Sequence, residues 1–300
     1  MIAGLGYVVI AAQDVAAWDN FGTQILGLQK ADISGDALYL KMDDAPFRYM
    51  IEQAAGEPGP DVLAASGWDA GDDDNLNALI EKLEAAGATV AEGTTDEAAA
   101  RCVTRFVKSA DPAGNGLELY VGRTDTGDAF VSPIGVSGFV TEPMGMGHAV
   151  IPAPNDQECA DFYQDVLGFG MSDDLRLPPP AEGAPDMRIV FFHADNPRHH
   201  SLALGNFPTP NKCIHLMMEV NTLDEVGAGL DRVTQAGLPL MASLGRHEND
   251  KMVSFYVVGP GGIAIEYGYD GLQVDDWAGF APTVSTSGDI WGHEYATPEM

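Results

Sequence analysis

Residues 5–29, LGYVVIAAQDVAAWDNFGTQILGLQ, and residues 146–170, MGHAVIPAPNDQECADFYQDVLGFG, follow one pattern in this chain of 300 residues. Each stretch predicts a strand, a turn, an amphipathic helix and a Leu-Gly ending. Tyr7 falls opposite His148 when the two are aligned. Similarity between two halves of one chain indicates that the same fold unit occurs twice.

The repeat extends through both halves of the chain. Two helical stretches match, ALIEKLEAAGATV (78–90) and GLDRVTQAGLPL (229–240), and so do two turn-and-strand stretches, DPAGNGLELYVG (111–122) and GPGGIAIEYGY (259–269). The connections are too short for a doubly wound sheet. The pattern therefore predicts an α+β fold of duplicated βαβββ modules. The predicted segments are a non-catalytic module (1–125), a linker (126–143), a metal-binding catalytic module (144–270) and a C-terminal extension (271–300).

The composition excludes some classes of partner. The formal net charge is −30, which repels nucleic acids and anionic membranes and fits either solubility or a saline habitat. The three cysteines form no C-x-x-C pair, and the N-terminal stretch has no basic start. We therefore expect a cytoplasmic protein without nucleic-acid or membrane partners. A homo-oligomer is compatible with these features.

The histidines divide the two halves. All seven lie after residue 147, although both halves share one pattern. His148 and His215 lie in predicted strands, as does Glu266, which occupies the position that Glu118 has in the first half. A buried glutamate needs a partner, and two histidines with one carboxylate form a metal-ligand set. Glu118 has no histidine partner, so it is interpreted as a relic or an ordinary polar contact.

This ligand set favours a particular metal. Two neutral imidazoles and one carboxylate on one face of an octahedron leave three positions open, which suits Fe(II) better than a closed zinc site. Mn(II) fits the same ligands. The sequence therefore predicts an iron enzyme whose chemistry lies in the second half.

One long stretch resembles a known family. LGRHENDKMVSFYVVGPGGIAIEYG (244–268) contains a His, seven residues, an apolar-Tyr pair, a Pro-x-Gly turn and a Glu, with Gly259 as a minor departure. Further matching pieces are GMGHAV, NPRHHSLAL (196–204), IHLMMEV (214–220) and IWGHEY (290–295). Together they resemble the two-domain extradiol catechol dioxygenases of the vicinal oxygen chelate superfamily.

The resemblance assigns roles to residues and implies an activity. It implies that His148, His215 and Glu266 bind Fe(II), with O₂ as co-substrate. Three further residues would act in catalysis, His200, His247 and Tyr256, and His199 is a less certain neighbour of His200. Val150, Asn249 and Asp250 are expected at the substrate, where Asn249 and Asp250 would also support His247. His193 and His293 are interpreted as structural.

The predicted function is extradiol cleavage of a small aromatic diol in aromatic catabolism. The resemblance favours a bicyclic catechol such as 2,3-dihydroxybiphenyl, and leaves 1,2-dihydroxynaphthalene and trihydroxybiphenyl open. Two alternatives are a glyoxalase-like isomerase and a non-catalytic protein that sequesters an aromatic compound. The isomerase typically draws metal ligands from both modules, whereas the first half here has no histidine.

Overall fold

The first half of the chain forms a mixed sheet. The computed structural model describes residues 1–124, 127–179, 183 and 186–296. Within those ranges the first sheet has eight strands: β1 Gly4–Ala12, β2 Gln29–Lys30, β3 Leu38–Lys41, β4 Tyr49–Gln53, β5 Val62–Asp69, β6 Ala91–Glu92, β7 Val103–Ala110 and β8 Gly116–Arg123. Their order is β2-β3-β4-β1-β5-β8-β7-β6. The strands β1 and β5 therefore lie at the centre of the sheet.

The second half forms a larger sheet with the same centre. In the described part of the chain it has ten strands: β9 His148–Pro152, β10 Gly170–Leu177, β11 Met187–His193, β12 Leu202–Gly205, β13 His215–Glu219, β14 Leu240–His247, β15 Val253–Val258, β16 Ala264–Tyr269, β17 Thr283–Ser285 and β18 Asp289–Trp291. Their order is β17-β10-β11-β12-β9-β13-β16-β15-β14-β18. The strands β9 and β13 take the places of β1 and β5.

Short helices connect the strands. They are α1 Val15–Asn20, α2 Asp73–Ala85, α3 Thr95–Ala100, α4 Asp156–Asp161 and α5 Leu223–Gln235, with π-helical stretches Phe21–Leu26 and Phe162–Val166 and a 3-10 turn Pro260–Gly262. The Asp14 side chain caps α1 by accepting from the Ala17 amide. No helix among the described residues is both long and apolar enough to cross a membrane.

Each half is itself a pair of similar units. The unit β1-α1-β2-β3-β4 is followed by β5-α2-β6-β7-β8, with α3 inserted after β6. The second half repeats this plan as β9-α4-β10-β11-β12 and β13-α5-β14-β15-β16. The first and last strands of each unit pair in parallel, and the first strands of two neighbouring units pair antiparallel. The predicted α+β fold of βαβββ modules is confirmed, and the repeat is fourfold.

Strand register aligns the two halves residue by residue. Tyr7 pairs with Gly67, which pairs with Glu118 across the next strand. In the second sheet, His148 pairs with Met217, which pairs with Glu266. The register therefore supports the sequence alignment of Tyr7 with His148 and of Glu118 with Glu266. Two residues before Gly67 on β5 stands Ala65, which is consequently the counterpart of His215.

The last segment of the chain completes the second sheet. Strand β17 pairs in parallel with β10 at one edge, and β18 pairs antiparallel with β14 at the other edge. The predicted linker also packs closely, because Val136 and Phe139 lie buried in the main core. The domain boundaries proposed from the sequence remain a prediction, but neither segment is a free tether in its described part.

Candidate metal centre

Three side chains from adjacent central strands converge on one point. His148 from β9 and His215 from β13 place their Nε2 atoms 3.2 Å apart. The Oε2 atom of Glu266, from β16, lies 3.2 Å from His148 Nε2 and 3.3 Å from His215 Nε2. His148 and Glu266 are buried, with side chains 3% and 1% exposed. The predicted ligand residues are therefore brought together at the middle of the sheet.

These distances suit a single metal ion. Ligand atoms that each lie about 2.1 Å from one ion, at roughly right angles, are separated by about 3 Å. Two imidazoles and one carboxylate suit non-haem Fe(II) and leave coordination positions open for other molecules. The chemistry and spacing of the donors therefore fit the predicted iron site.

Two more side chains hold the second oxygen of Glu266. The Ser254 hydroxyl donates to Glu266 Oε1 over 2.7 Å, and His247 Nε2 lies 3.2 Å from the same atom. Hydrogen bonds of this kind orient a ligand carboxylate and tune the ion it binds. Ser254, which is fully buried, had no signal in the sequence.

His247 and Tyr256 form a second pair beside the three converging ligands. Tyr256 Oη lies 2.6 Å from His247 Nε2, and its ring meets that of His215 edge to face. His247 Nδ1 lies 2.9 Å from Asp289 Oδ1. The structure thus places both predicted catalytic residues within one hydrogen-bonded group next to the metal ligands.

His200 lies on another side of the same centre. Its ring centroid is 4.1 Å from that of His148 and 4.7 Å from that of Phe191. Its Nδ1 atom lies 3.1 Å from His199 Nδ1 and 3.9 Å from Asp250 Oδ2. Because His199 and Asp250 both lie on the Nδ1 side of the ring, Nε2 is the nitrogen that can face the space over the three converging ligands. His199 does not line that cavity, which agrees with the choice of His200 over its neighbour.

Burial and charge set the protonation of these groups. Burial lowers the pKa of His148, and burial together with nearby imidazoles lowers the pKa of His200 well below its usual value. Burial alone would raise the pKa of Glu266, but hydrogen bonds from three histidines hold it well below its usual range. Neutral imidazoles beside an ionised carboxylate are the forms that bind a metal ion.

In the second pair, neighbouring carboxylates outweigh the effect of burial on the pKa of His247. Burial alone would lower the pKa of His247, but the carboxylates of Asp289 and Glu266 raise it well above its usual value. Burial and the charge of Glu266 raise the pKa of Tyr256 well above its usual value. Tyr256 therefore keeps its proton at neutral pH and can donate a hydrogen bond.

A cavity of about 330 Å³ opens over the three converging ligands. Its apolar wall consists of Leu175, Leu177, Met187, Ile189, Phe191, Phe207, Ile214 and Met241. Three carboxylates, those of Asp250, Glu266 and Asp289, also line it, and no Lys or Arg does so among the described residues. A pocket of this kind suits an uncharged aromatic molecule.

The predicted substrate contacts lie at this cavity. Val150, Asn249 and Asp250 all line it, and their contact with substrate stays a prediction. Asp250 Oδ2 lies 3.9 Å from His200 Nδ1, and the charge of Asp250 also contributes to the raised pKa of His247, so its support of His247 stays a prediction.

The C-terminal extension supplies groups that the sequence analysis did not assign to the site. Asp289 and Tyr295 line the cavity. The ring of His293, interpreted as structural from the sequence, lies 4.3 Å from that of His247 and is fully buried. The stretch IWGHEY carried part of the resemblance, and its start 43 residues beyond His247 gave no indication of this contact.

The first half has a filled interior at the equivalent place. Glu118 accepts two hydrogen bonds from Arg101, over 2.5 and 2.7 Å, and a third from the Tyr7 hydroxyl over 2.7 Å. Aromatic side chains fill the surrounding space: Tyr7, Tyr39, Phe47, Phe106 and Tyr120. A guanidinium thus compensates the buried carboxylate of Glu118, with tyrosine and Ala65 where the second half has histidines.

Comparison with known proteins places the chain in a superfamily. Residues 145–267 match the Glyoxalase/Bleomycin resistance protein/Dioxygenase superfamily, and residues 5–54 match the first domain of dihydroxybiphenyl dioxygenase BphC. A Mn(II)-bound glyoxalase from Novosphingobium aromaticivorans superposes with a TM-score of 0.76 over 97% of this chain and 91% of its own, at 22% identity, and shows a shared fold alone. The fold and the ligand set thus define a metal-dependent enzyme class.

More similar relatives narrow the assignment. An iron-dependent extradiol dioxygenase from Rhodococcus jostii (strain RHA1) is 41% identical over 98% of both chains. A biphenyl-2,3-diol 1,2-dioxygenase from Metapseudomonas furukawaii is 39% identical over 98% of this chain and 94% of its own. The crystal structure of BphC, a halotolerant catechol dioxygenase, superposes with a TM-score of 0.89 over 99% of this chain and 96% of its own, at 35% identity. The chain belongs to the extradiol dioxygenase family.

Proposed function

We infer that this protein is an iron-dependent extradiol dioxygenase that cleaves a biphenyl-2,3-diol or a similar catechol. The observation that carries the inference is the convergence of His148, His215 and Glu266 within 3.3 Å in the lining of a largely apolar cavity. Relatives with 38 to 41% identity over nearly the whole chain are extradiol and biphenyl-2,3-diol 1,2-dioxygenases. The activity belongs to aromatic catabolism.

The reaction inserts both atoms of O₂ into the diol and breaks the ring bond beside the two hydroxyls. Bound Fe(II) would act as a Lewis acid that eases ionisation of the diol, and as a redox centre that allows the ionised diol to react with O₂. Mn(II) fits the same ligands. The protein must bind the diol, orient it, take up its protons and exclude water.

His200 is the proposed acid and base at the reacting oxygens. It is buried, it lines the cavity, and its Nε2 faces the cavity because Nδ1 faces His199 and Asp250. Burial holds the pKa of His200 low, so the neutral ring accepts a proton at Nε2 and returns it readily.

Tyr256 and His247 are proposed to hold the oxygens of the diol. Tyr256 keeps its proton, so its hydroxyl can donate to a substrate oxygen that gains negative charge. His247 is held 2.6 Å from that hydroxyl and 3.2 Å from Glu266. Tyr256 lies on β15 and His247 on β14, two strands that pair antiparallel in the second sheet.

The cavity supports a bicyclic substrate. Its lining combines the three converging ligands with apolar side chains from β10, β11 and β14, so one ring can lie at the ligands while a second ring contacts apolar side chains. Val150, Asn249 and Asp250 are proposed to contact the diol ring at the polar end. The choice among dihydroxybiphenyl, dihydroxynaphthalene and trihydroxybiphenyl substrates is proposed to depend on this wall.

Oxygen uptake with visible absorbance tests this function. The protein is loaded anaerobically with Fe(II), and 2,3-dihydroxybiphenyl is added with air. We expect iron-dependent uptake of one O₂ per diol and a yellow product. We expect loss of metal and activity in His215→Ala, and a decrease in kcat of about 10² to 10⁴ in His200→Ala with metal retained.

A matched control removes a histidine outside the cavity. His193 stacks on Trp277, and His193→Phe keeps an aromatic ring there while leaving the metal ligands untouched. This variant should retain metal and activity. Stoichiometric metal and bound diol without oxygen uptake would instead favour a sequestering protein, and isomerisation of a thiol adduct would favour a glyoxalase-like enzyme.

Location and assembly are separate proposals. The relatives act on diols, and no helix in the described residues can span a membrane. A cytoplasmic location, the absence of nucleic-acid and membrane partners, and a homo-oligomeric assembly remain predictions from the sequence. Sedimentation of the iron-loaded protein measures the assembly directly.

A further inference from the structure

The C-terminal extension brings a carboxylate to the proposed catalytic pair. Strand β18 pairs with β14 so that Asp289 stands opposite His247. The amide of Glu248 donates to the carbonyl of Gly288, which fixes the backbone beside Asp289. The Asp289 side chain is 18% exposed and lines the cavity. Its position is therefore set by a strand rather than by a loose terminus.

One oxygen of Asp289 serves two histidines. Oδ1 lies 2.9 Å from His247 Nδ1 and 2.6 Å from His293 Nδ1. An ionised carboxylate offers only acceptor lone pairs, and His247 Nδ1 also hydrogen-bonds the carbonyl of Gly288 over 3.3 Å, so each Nδ1 must carry a proton. The proton on His247 Nδ1 fixes the ring orientation that aims Nε2 at the Tyr256 hydroxyl.

The same oxygen is also linked to the metal ligand Glu266. His293 Nε2 lies 3.0 Å from the carbonyl oxygen and 3.3 Å from the hydroxyl of Ser254. That hydroxyl donates to Glu266 Oε1, which His247 Nε2 also approaches at 3.2 Å. Asp289 therefore stands in a closed ring of polar contacts through His247, Glu266, Ser254 and His293.

We propose that Asp289 is a positioning residue that holds the His247 ring, through its Nδ1 proton, in the orientation needed to bind the diol. The proposal rests on the proposed function, because Asp289 would affect catalysis only through the contact that His247 makes with the diol. Without this carboxylate, the remaining acceptor for Nδ1 is the carbonyl of Gly288, at 3.3 Å. The imidazole ring of His247 can then flip by about 180°, so that Nδ1 and Nε2 exchange sides.

A competing arrangement is a second metal ion. His247, Asp289 and His293 offer ligand atoms within 4.8 Å of one another. The 2.6 Å contact of Asp289 with His293 is a hydrogen bond and the 2.9 Å contact with His247 is an ion pair, which favours a proton on each Nδ1 over a shared metal ion. Metal analysis of the loaded protein should therefore give one ion per chain, and two would overturn the proposal.

The central experiment is a double-mutant cycle on catechol cleavage. Asp289→Asn keeps the shape of the side chain and removes its charge, and Asp275→Asn is the matched control in an exposed part of the same extension. We expect Asp289→Asn to lower kcat/KM about 10- to 100-fold while retaining one metal ion per chain. Asp275→Asn should match the parent protein.

The His247→Ala background separates positioning from a general structural role. If Asp289 acts through His247, adding Asp289→Asn to His247→Ala should change kcat/KM by less than about twofold. Independent, multiplicative losses would overturn the proposal. Asp289→Ala, checked for its unfolding midpoint, repeats the cycle if the asparagine variant fails to fold.

A measurement that needs no activity keeps the proposal separate from the proposed function. In metal-free protein labelled with ¹⁵N at histidine, His247 should show a protonated Nδ1 with a low-field proton resonance, assigned by its loss in His247→Ala. This resonance should disappear in Asp289→Asn and persist in Asp275→Asn. An unprotonated Nδ1, or no change in Asp289→Asn, would refute the proposal even if the catechol activity is confirmed. Absent activity with the expected spectra would refute only the proposed function.

Discussion

Replacing Arg101 with methionine removes the guanidinium that faces Glu118 in the filled interior of the first half. Methionine keeps an unbranched side chain over the Phe106 ring, whose centroid lies 4.6 Å from the Arg101 guanidinium carbon. The two charged side chains are only 8% and 4% exposed. The substitution therefore leaves a buried carboxylate with the Tyr7 hydroxyl as its remaining hydrogen-bond donor.

The expected loss of stability is limited by proton uptake. A glutamate with an ordinary pKa of about 4.3 takes up a proton at pH 7 at a cost of about 3.7 kcal/mol, because each pH unit corresponds to about 1.4 kcal/mol. The folded variant can bind this proton instead of burying an unpaired charge. We therefore expect Arg101→Met to lower the free energy of unfolding by about 3 to 4 kcal/mol at pH 7.

The loss should depend on pH with a definite sign. At pH 5 the same proton uptake costs about 1 kcal/mol. Because the folded variant binds one proton more than the unfolded chain, its stability relative to the parent protein rises as the pH falls. The double variant Arg101→Met with Glu118→Gln has no charge to neutralise and should be more stable at pH 7 than Arg101→Met alone.

Urea unfolding followed by tryptophan fluorescence measures these differences. Trp18 and Trp68 are fully buried in the first half and report on it. Arg105→Met is the matched control, because its ion pair with Glu92 is exposed and should contribute less than about 1 kcal/mol. A loss below about 1 kcal/mol for Arg101→Met, or an equal loss at pH 5 and pH 7, would refute the reasoning.

Three further predictions concern the metal, the substrate and the charge of the protein. Ser254→Ala should weaken Fe(II) binding about 10-fold or more by removing the hydrogen bond to Glu266, as measured by competition with a chelator; an affinity within twofold of the parent would contradict it. A catechol with a carboxylate, such as 3,4-dihydroxyphenylacetate, should have a kcat/KM about 30-fold below that of 2,3-dihydroxybiphenyl, since one like-charge pair at about 8 Å costs about 2 kcal/mol at an effective dielectric constant of 20. Equal values would show that the three acidic side chains of the cavity do not select against anions. Raising the salt concentration from 10 mM to 1 M should raise the unfolding temperature, because the Debye length falls from about 30 to about 3 Å around a chain of net charge −30; sucrose of equal osmolality is the control, and an unchanged or lower temperature with salt would be the contrary result.

The sequence predicted the parts of the site that lie on repeated strands. Aligning the halves placed His148 opposite Tyr7 and Glu266 opposite Glu118, and strand register supports both matches. The absence of histidine from the first half then located the metal ligands. The alignment agrees with the strand register because backbone pairing in a duplicated fold preserves which residues face each other, and the ligand roles stay a prediction.

Other parts of the site depend on contacts that local sequence does not encode. Ser254 contacts Glu266 across neighbouring strands, and nothing in a single serine marks it as a partner of a metal ligand. Asp289 reaches His247 only because β18 joins the far edge of the sheet. The guanidinium of Arg101 likewise pairs with Glu118 through packing, where the sequence indicated a relic or an ordinary polar contact and did not identify the partner.

The filled interior of the first half is an internal reference for the interior of the second half, which contains the candidate metal centre. It shares the strand register of the second half, but it has an arginine and aromatic rings where the other has a ligand set and an open cavity. Trp18 and Trp68 lie in the first half, and Trp277 and Trp291 lie in the extension that completes the second sheet. Each chain therefore contains two interiors of the same strand register, one with the ligand set and one without, joined by one continuous hydrophobic core.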